Sequence, residues 1–147
     1  MARKEKRIVV DTNVLISSLI NPNSVVWNII DIEEIDFLVP ELVIYEVEKY
    51  EKLIKKKIKL KGRKDAYEYL LSELFTKVII VPTIYYKKHI EEAYEIMGAI
   101  DEKDTEFLAL AIAYKCSIWS DDKDFLKQDR VSIYTSKEII EKMIADD

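Results

Sequence analysis

Four acidic side chains in this 147-residue chain occupy places that folding alone does not demand. Asp11 ends the run Ile8-Val9-Val10, a β-branched segment bounded by charge that reads as a short buried strand. Asp122 follows a second strand-like run, Ser117-Ile118-Trp119-Ser120, and Asp104 precedes Phe107 to Ala113, a helix apolar on nearly all sides. Glu46 stands three residues after Val43 and four before Tyr50, at the edge of an apolar face made by Val43, Val47, Tyr50 and Ile54. Ligands bind at the carboxyl ends of strands in open parallel α/β sheets, and all four acids can meet at that end. Carboxylates sharing a pocket repel, so some would protonate unless cations bind. Hard divalent cations such as Mg²⁺ or Mn²⁺ prefer this oxygen-only ligand set. The chemistry such a cluster could do is phosphodiester hydrolysis, in which metal activates a water and neutralises charge on the phosphoryl and leaving oxygens. On that reading Asp11 is the central ligand, Asp104 and Asp122 hold or orient metal, and Glu46 positions water or a second ion. Asn13 and Ser120 would hydrogen-bond the ligands or the scissile phosphate. Plainer roles compete at each position: Asp11 or Thr12 as a helix cap, Glu46 in a salt bridge to Lys49 or Arg63, Asp104 at a helix amino terminus, and an ordinary aspartate-rich turn at 121–124.

The elements that must position these residues alternate along the chain. Strands are expected near 8–10, 37–39, 78–81, 117–120 and 132–134. Between them, helices are expected from Val14 to Ile20, from Val25 to Ile30 under a Ser24 cap, and from Pro40 along the face through Ile54. Another is expected from about Lys64 to Phe75 after Gly62. A helix marked by Ile90, Ala93, Tyr94 and Met97 stops at Gly98, Asp101 caps the buried one, and Ser136 caps a last helix. Alternation of this kind in one domain spanning 1–147 implies an α/β fold, a parallel sheet with helices on both faces.

Composition removes several alternatives. Apolar residues make up 49% and charged residues 35% of the chain, and no apolar run approaches the ~20 residues of a membrane span. The basic start is followed by an apolar run broken by Asp11 and Asn13, which reads as no signal peptide and an intracellular, cytoplasmic protein. One cysteine, Cys116, excludes an internal disulfide and a cysteine zinc site; one histidine, His89, excludes a multi-histidine one and leaves Ser120 without a partner as nucleophile. Gly62 and Gly98 are the only glycines, so no phosphate-cradling glycine loop exists. An aspartate-nucleophile phosphatase needs a second Asp where Asn13 stands. Abundant lysine and isoleucine with a single glutamine, Gln128, fit a thermophile. Seven basic residues in ten, Lys55, Lys56, Lys57, Lys59, Lys61, Arg63 and Lys64, leave −12 on the remainder of a chain whose net charge is −5. They are either a solvated helix end or a surface for nucleic-acid phosphates.

The ordered set Asp11-Thr12-Asn13-Val14-Leu15, Glu46 on a helix, Asp104 before Phe107-Leu-Ala-Leu-Ala, and Ser120-x-Asp122-Lys123-Asp124-Phe125 resembles the four motifs of PIN-domain nucleases. The likeness runs from residue 8 to about residue 136 and is strongest toward prokaryotic VapC-type ribonucleases, the toxins of toxin–antitoxin pairs. It implies a Rossmann-like sheet and an Mg²⁺- or Mn²⁺-dependent endoribonuclease. It also casts Asp11, Glu46, Asp104 and Asp122 as the acidic cluster, with Asn13 and Ser120 as polar support. Asp101 and Asp124 match flanking positions often acidic in the family, so either Asp122 or Asp124 can be the ligand of that turn. An antitoxin partner and a homodimer are implied as well, the latter consistent with apolar Val25, Trp27, Ile29 and Ile30. Two readings outside this one are an inactive PIN-fold RNA- or protein-binding module and an RNA-maturation nuclease; presence of all four acids weighs against the first.

Overall fold

The computed structural model describes residues 6–60 and 66–144. Five strands, β1 (Lys6–Val10), β2 (Ile35–Pro40), β3 (Ile79–Val81), β4 (Ser117–Trp119) and β5 (Ile133–Tyr134), form one parallel sheet in the order β3-β2-β1-β4-β5. The chain therefore winds outward from β1 in one direction through β2 and β3, then returns to lay β4 and β5 on the other side. The reversal falls between β1 and β4, and in open parallel sheets ligands bind beyond the carboxyl ends of the strands at such a point. Ile8, Val9 and Val10 of the central strand are fully buried, which is why that run is apolar without alternation.

Helices α1 (Thr12–Ile20), α2 (Val25–Ile30), α3 (Leu42–Lys49), α4 (Glu51–Leu60), α5 (Tyr67–Lys77), α6 (Ile90–Met97), α7 (Thr105–Tyr114) and α8 (Ser136–Ile139) cover the sheet. The apolar α7 lies against β1, β2 and β4, with Phe107 to Ile112 all buried. Helix α1 packs on α2 to α5. Trp119 and Phe37 meet with ring centroids 5.8 Å apart, and the Trp119 indole N–H donates to Ser136 Oγ at 2.9 Å, tying β4 to the start of α8. No described helix is long and apolar enough to cross a membrane.

Local chemistry moves several expected boundaries. Pro40 closes β2 opposite Val81 instead of opening a helix; it sits at the strand's end, where the missing donor is tolerated, and the next N–H, from Glu41, bonds the Val81 carbonyl at 3.2 Å. The expected long helix breaks at Tyr50 into α3 and α4, yet Val43, Val47, Ile54 and Ile58 stay on one buried face. Ser24 precedes α2 but its hydroxyl bonds nothing, while Thr135, not Ser136, caps α8 through a reciprocal box with Glu138. Ile29 and Ile30 enter the core and Trp27 donates to the Ser18 carbonyl at 2.9 Å, so only Val25 of the residues offered for a dimer is exposed. Gly62 and the start expected for α5 lie outside the described residues.

Candidate active site

Asp11 stands at this reversal point, just past the carboxyl end of β1. Its backbone N–H extends the β1–β4 pairing by donating to the Trp119 carbonyl at 3.0 Å, which fixes the carboxyl group one step beyond the strand. The side chain is buried, accepts from Ser120 Oγ at 2.8 Å and receives the Asn13 backbone N–H. Burial pushes its pKa up to about 6 against the Ser120 hydrogen bond, with Asp122 and Glu46 adding repulsion. Ser120 is itself 1% exposed and uses its hydroxyl twice, donating to Asp11 and accepting the Asp122 N–H at 3.0 Å. One hydroxyl thus ties β1's terminal acid to the turn that follows β4.

That turn and the one before α7 present four more carboxylates. Asp122 opens the turn Lys123–Lys127 by accepting the Asp124 N–H at 2.9 Å, and Asp101 opens Glu102–Asp104 by accepting the Lys103 N–H at 3.1 Å. Oxygens of Asp101, Asp104, Asp122 and Asp124 all lie within 4.8 Å of one another. Asp104 is 6% exposed and its Oδ2 is buried without a hydrogen-bond partner. Burial, followed by the charges of Asp11, Asp101, Asp122 and Asp124, pushes its pKa up to about 8. Asp124 also pairs with Lys127 at 3.0 Å. Both aspartates of the 120s turn place an oxygen in this group.

Glu46 is held apart from this group. It is half-buried and accepts from Thr12 Oγ1 at 2.8 Å; of the two cations named as alternative partners, Lys49 acts on it through charge, and Arg63 lies outside the described residues. Burial raises its pKa, and the nearby Glu106 adds to that while Lys49 and Lys103 oppose it. Glu106 in turn accepts from the buried Tyr86 hydroxyl at 2.6 Å. Pattern reasoning on the sequence misses Thr12 as the partner of Glu46, and misses Glu106 altogether. The available signal is spacing: Thr12 follows Asp11 directly, and Glu106 lies in the first turn of the helix that Asp104 precedes. Asn13 is exposed on the first turn of α1.

Four carboxylates at such spacing, one with an orphaned buried oxygen, are a poor place for uncompensated charge and a good one for a hard divalent cation. The donor set is oxygen only, which suits Mg²⁺ or Mn²⁺. Among the basic residues, Lys55 lies 3.4 Å from Glu68 and 3.8 Å from Glu51 and sits over the Tyr67 ring. Lys56 and Lys57 are exposed on α4, which also carries Lys59; Lys61, Arg63 and Lys64 fall outside the described residues.

The family profile described as PIN domain matches residues 9–142, a span containing every acid above. No curated protein matches the sequence at a significant level. Among solved structures, a chain from the crystal structure of VapBC2 of Rickettsia felis bound to a DNA fragment from their promoter superposes with a TM-score of 0.61. The two are 14% identical, and the match covers 88% of this chain and 98% of that one, a likeness of fold. With the profile spanning nearly the whole chain, the protein belongs to the PIN-domain family of nucleases.

Proposed function

We propose that the chain is a Mg²⁺- or Mn²⁺-dependent endoribonuclease of the toxin type, hydrolysing phosphodiester bonds of RNA at the carboxylate cluster beyond the carboxyl ends of β1 and β4. The observation that carries this reading is the unpartnered, buried Oδ2 of Asp104 inside four converging carboxylates. Asp101, Asp104, Asp122 and Asp124 would hold a divalent cation, and Asp11, locked by Ser120, would border it. When bound, such a cation lowers the pKa of a water and neutralises charge on the phosphoryl group. Glu46 presents one oxygen to Thr12 and keeps the other for the proton of the attacking water, and the burial that raises its pKa makes it a stronger base. As the water oxygen bonds to phosphorus the P–O bond to the leaving group breaks, and the leaving oxygen takes a proton from solvent.

The direct test is a labelled single-stranded RNA incubated with purified protein in Mn²⁺ and in chelator. Internal cleavage in Mn²⁺ alone is expected; no cleavage across several RNAs and both metals would sink the reading. A protein partner of the antitoxin class and a homodimer belong to the same proposal. Val25, Ile44, Tyr45 and Leu53, exposed by 41%, 43%, 71% and 47%, support a surface covered by protein. Intracellular location belongs to it too, since RNA is the substrate.

The basic stretch would contribute electrostatically. Replacing Lys56, Lys57, Lys59 and Lys61 with glutamine is expected to weaken RNA binding and to flatten its salt dependence, by roughly 0.7 in log–log slope for each phosphate of a single strand that is no longer neutralised. Cleavage at saturating RNA should stay near the parent rate. Binding titrations across a salt series measure this, and an unaltered slope would make these lysines a solvated helix end.

A further inference from the structure

Helix α6 carries a tyrosine in an unexpected place. Its spacing groups Tyr94 with Ile90, Ala93 and Met97, yet only Ala93 and Met97 are fully buried, while Tyr94 is 51% exposed. Gly98, which closes the helix, has φ −57, a conformation open to any residue, so the backbone does not require glycine there. Space does. A Cβ on Gly98 would lie 2.7 Å from the Tyr94 carbonyl oxygen and 3.1 Å from Cε2 and Cζ of the Tyr94 ring. The phenol is therefore seated against the glycine, in space that a larger residue would take.

The seated ring borders an open groove of about 490 Å³ that is also lined by Ile90, Asp101, Glu102, Lys103 and Glu106. Asp101 belongs both to this groove and to the carboxylate cluster, so the two adjoin at that residue. Lys103 lines the groove from within the turn that carries Asp104, and its charge also reaches Glu46, so an ammonium stands on the side of the groove toward the acids. We propose that the groove is a nucleobase subsite for single-stranded RNA: a base beside the scissile phosphate stacks on Tyr94, and Lys103 meets the intervening backbone. This rests on the nuclease reading above and names where its substrate is gripped.

Charge decides which part of the nucleotide enters. Three carboxylates repel a phosphate but accept hydrogen bonds from base N–H groups, and a lone lysine at the junction suits one phosphate outside. Glu106 spends one oxygen on Tyr86 and has the other available. Aromatic stacking is open to every base, so the carboxylates add preference for bases with an exocyclic amino group, leaving uracil the poorest occupant. The volume is within the range of small-ligand clefts.

The test uses single-stranded RNA octamers carrying 2-aminopurine at successive positions, mixed with full-length protein in Mn²⁺ in a stopped-flow instrument. Stacking quenches this base. Parent protein should quench one position before cleavage, Tyr94→Phe should do the same, and Tyr94→Ala should lose the quench and raise KM roughly tenfold with kcat little changed. Equal quenching and KM in Tyr94→Ala would overturn the subsite. So would an arginine-rich peptide probe that loses affinity in Tyr94→Ala while RNA does not, since the groove would then be a protein-binding one. A parent that quenches through Tyr94 but cuts no RNA would uphold the subsite and sink the nuclease reading alone.

Discussion

Replacing Asp11 with asparagine is expected to lower the proposed metal-dependent RNA cleavage by about a thousandfold, because removing one carboxylate beside a site that would hold a divalent cation withdraws several kcal/mol of charge stabilisation. The fold should survive. Asparagine keeps the shape and leaves an oxygen to accept the Ser120 hydroxyl, now donated to Asp11 at 2.8 Å. It also deletes a buried charge that repels Asp122, Glu46 and Asp104, so the melting temperature of the metal-free variant should equal or exceed the parent's. Ser120→Ala makes an informative contrast, since it leaves the charge and removes only the clamp between β1 and the turn after β4; a loss of about 10- to 100-fold is expected there. Single-turnover cleavage beside thermal melting separates the two effects. An Asp11→Asn protein that melts normally and cuts within tenfold of parent would strip Asp11 of its role.

Much of this architecture is legible before any coordinates, and the boundary of legibility has physical causes. Strand ends are marked by where apolar runs stop, so the placement of Asp11 and Asp122 beyond strands, and of Asp104 ahead of α7, follows from local pattern alone. Glu46 is legible as inward-facing because helical spacing fixes its face, but its partner is not: Thr12 and Glu46 are 34 residues apart, and a side-chain hydrogen bond across that distance leaves no periodic trace. The same holds for Tyr86 and Glu106, 20 residues apart. Asp101 and Asp124 are ordinary turn residues by local pattern, and only the likeness to the PIN motifs marks them; that they come within reach of Asp104 and Asp122 follows from the packing of two turns. Boundaries shift where two local rules compete. Pro40 suits both the first turn of a helix and the end of a strand, and pairing with β3 decides for the strand. Threonine and serine both cap helices, and Thr135 wins over Ser136 because Glu138 stands three residues on to complete the box. Tyr94 defeats a pattern argument outright, since a ring at the edge of an apolar stripe can turn either way, and Gly98 lets it lie on the helix end.

Metal-free protein is expected to lose stability as pH rises from about 5 to about 8, and Mn²⁺ is expected to restore it chiefly at the upper end. Asp11 and Asp104 have pKa values raised from 3.8 to about 6 and about 8, with burial the first cause in both. A raised carboxyl pKa means that the fold disfavours the charged form. Between about pH 4 and 8 the folded protein then holds more protons than the unfolded chain, so stability is greatest near the acid end and falls through each folded pKa in turn. This slope is opposite to that of a carboxylate stabilised by a salt bridge. A divalent cation relieves the same repulsion that protons relieve, and it competes with them for the same oxygens. At about pH 5, where Asp104 is neutral, added Mn²⁺ should shift melting little. At about pH 8, a hundredfold excess over its dissociation constant should contribute about 2.7 kcal/mol, several degrees for a domain of this size. Asp104→Asn should flatten the metal-free pH profile, raise its melting temperature at the alkaline end and abolish most of the Mn²⁺ response, because it removes both the costly charge and the oxygen left unpartnered for the ion. Thermal melts from about pH 5 to 9, in chelator and in Mn²⁺, measure all three effects together. Stability that rises with pH in the metal-free protein, or a Mn²⁺ shift as large at pH 5 as at pH 8, would mean that Asp104 is already charged and satisfied without the ion.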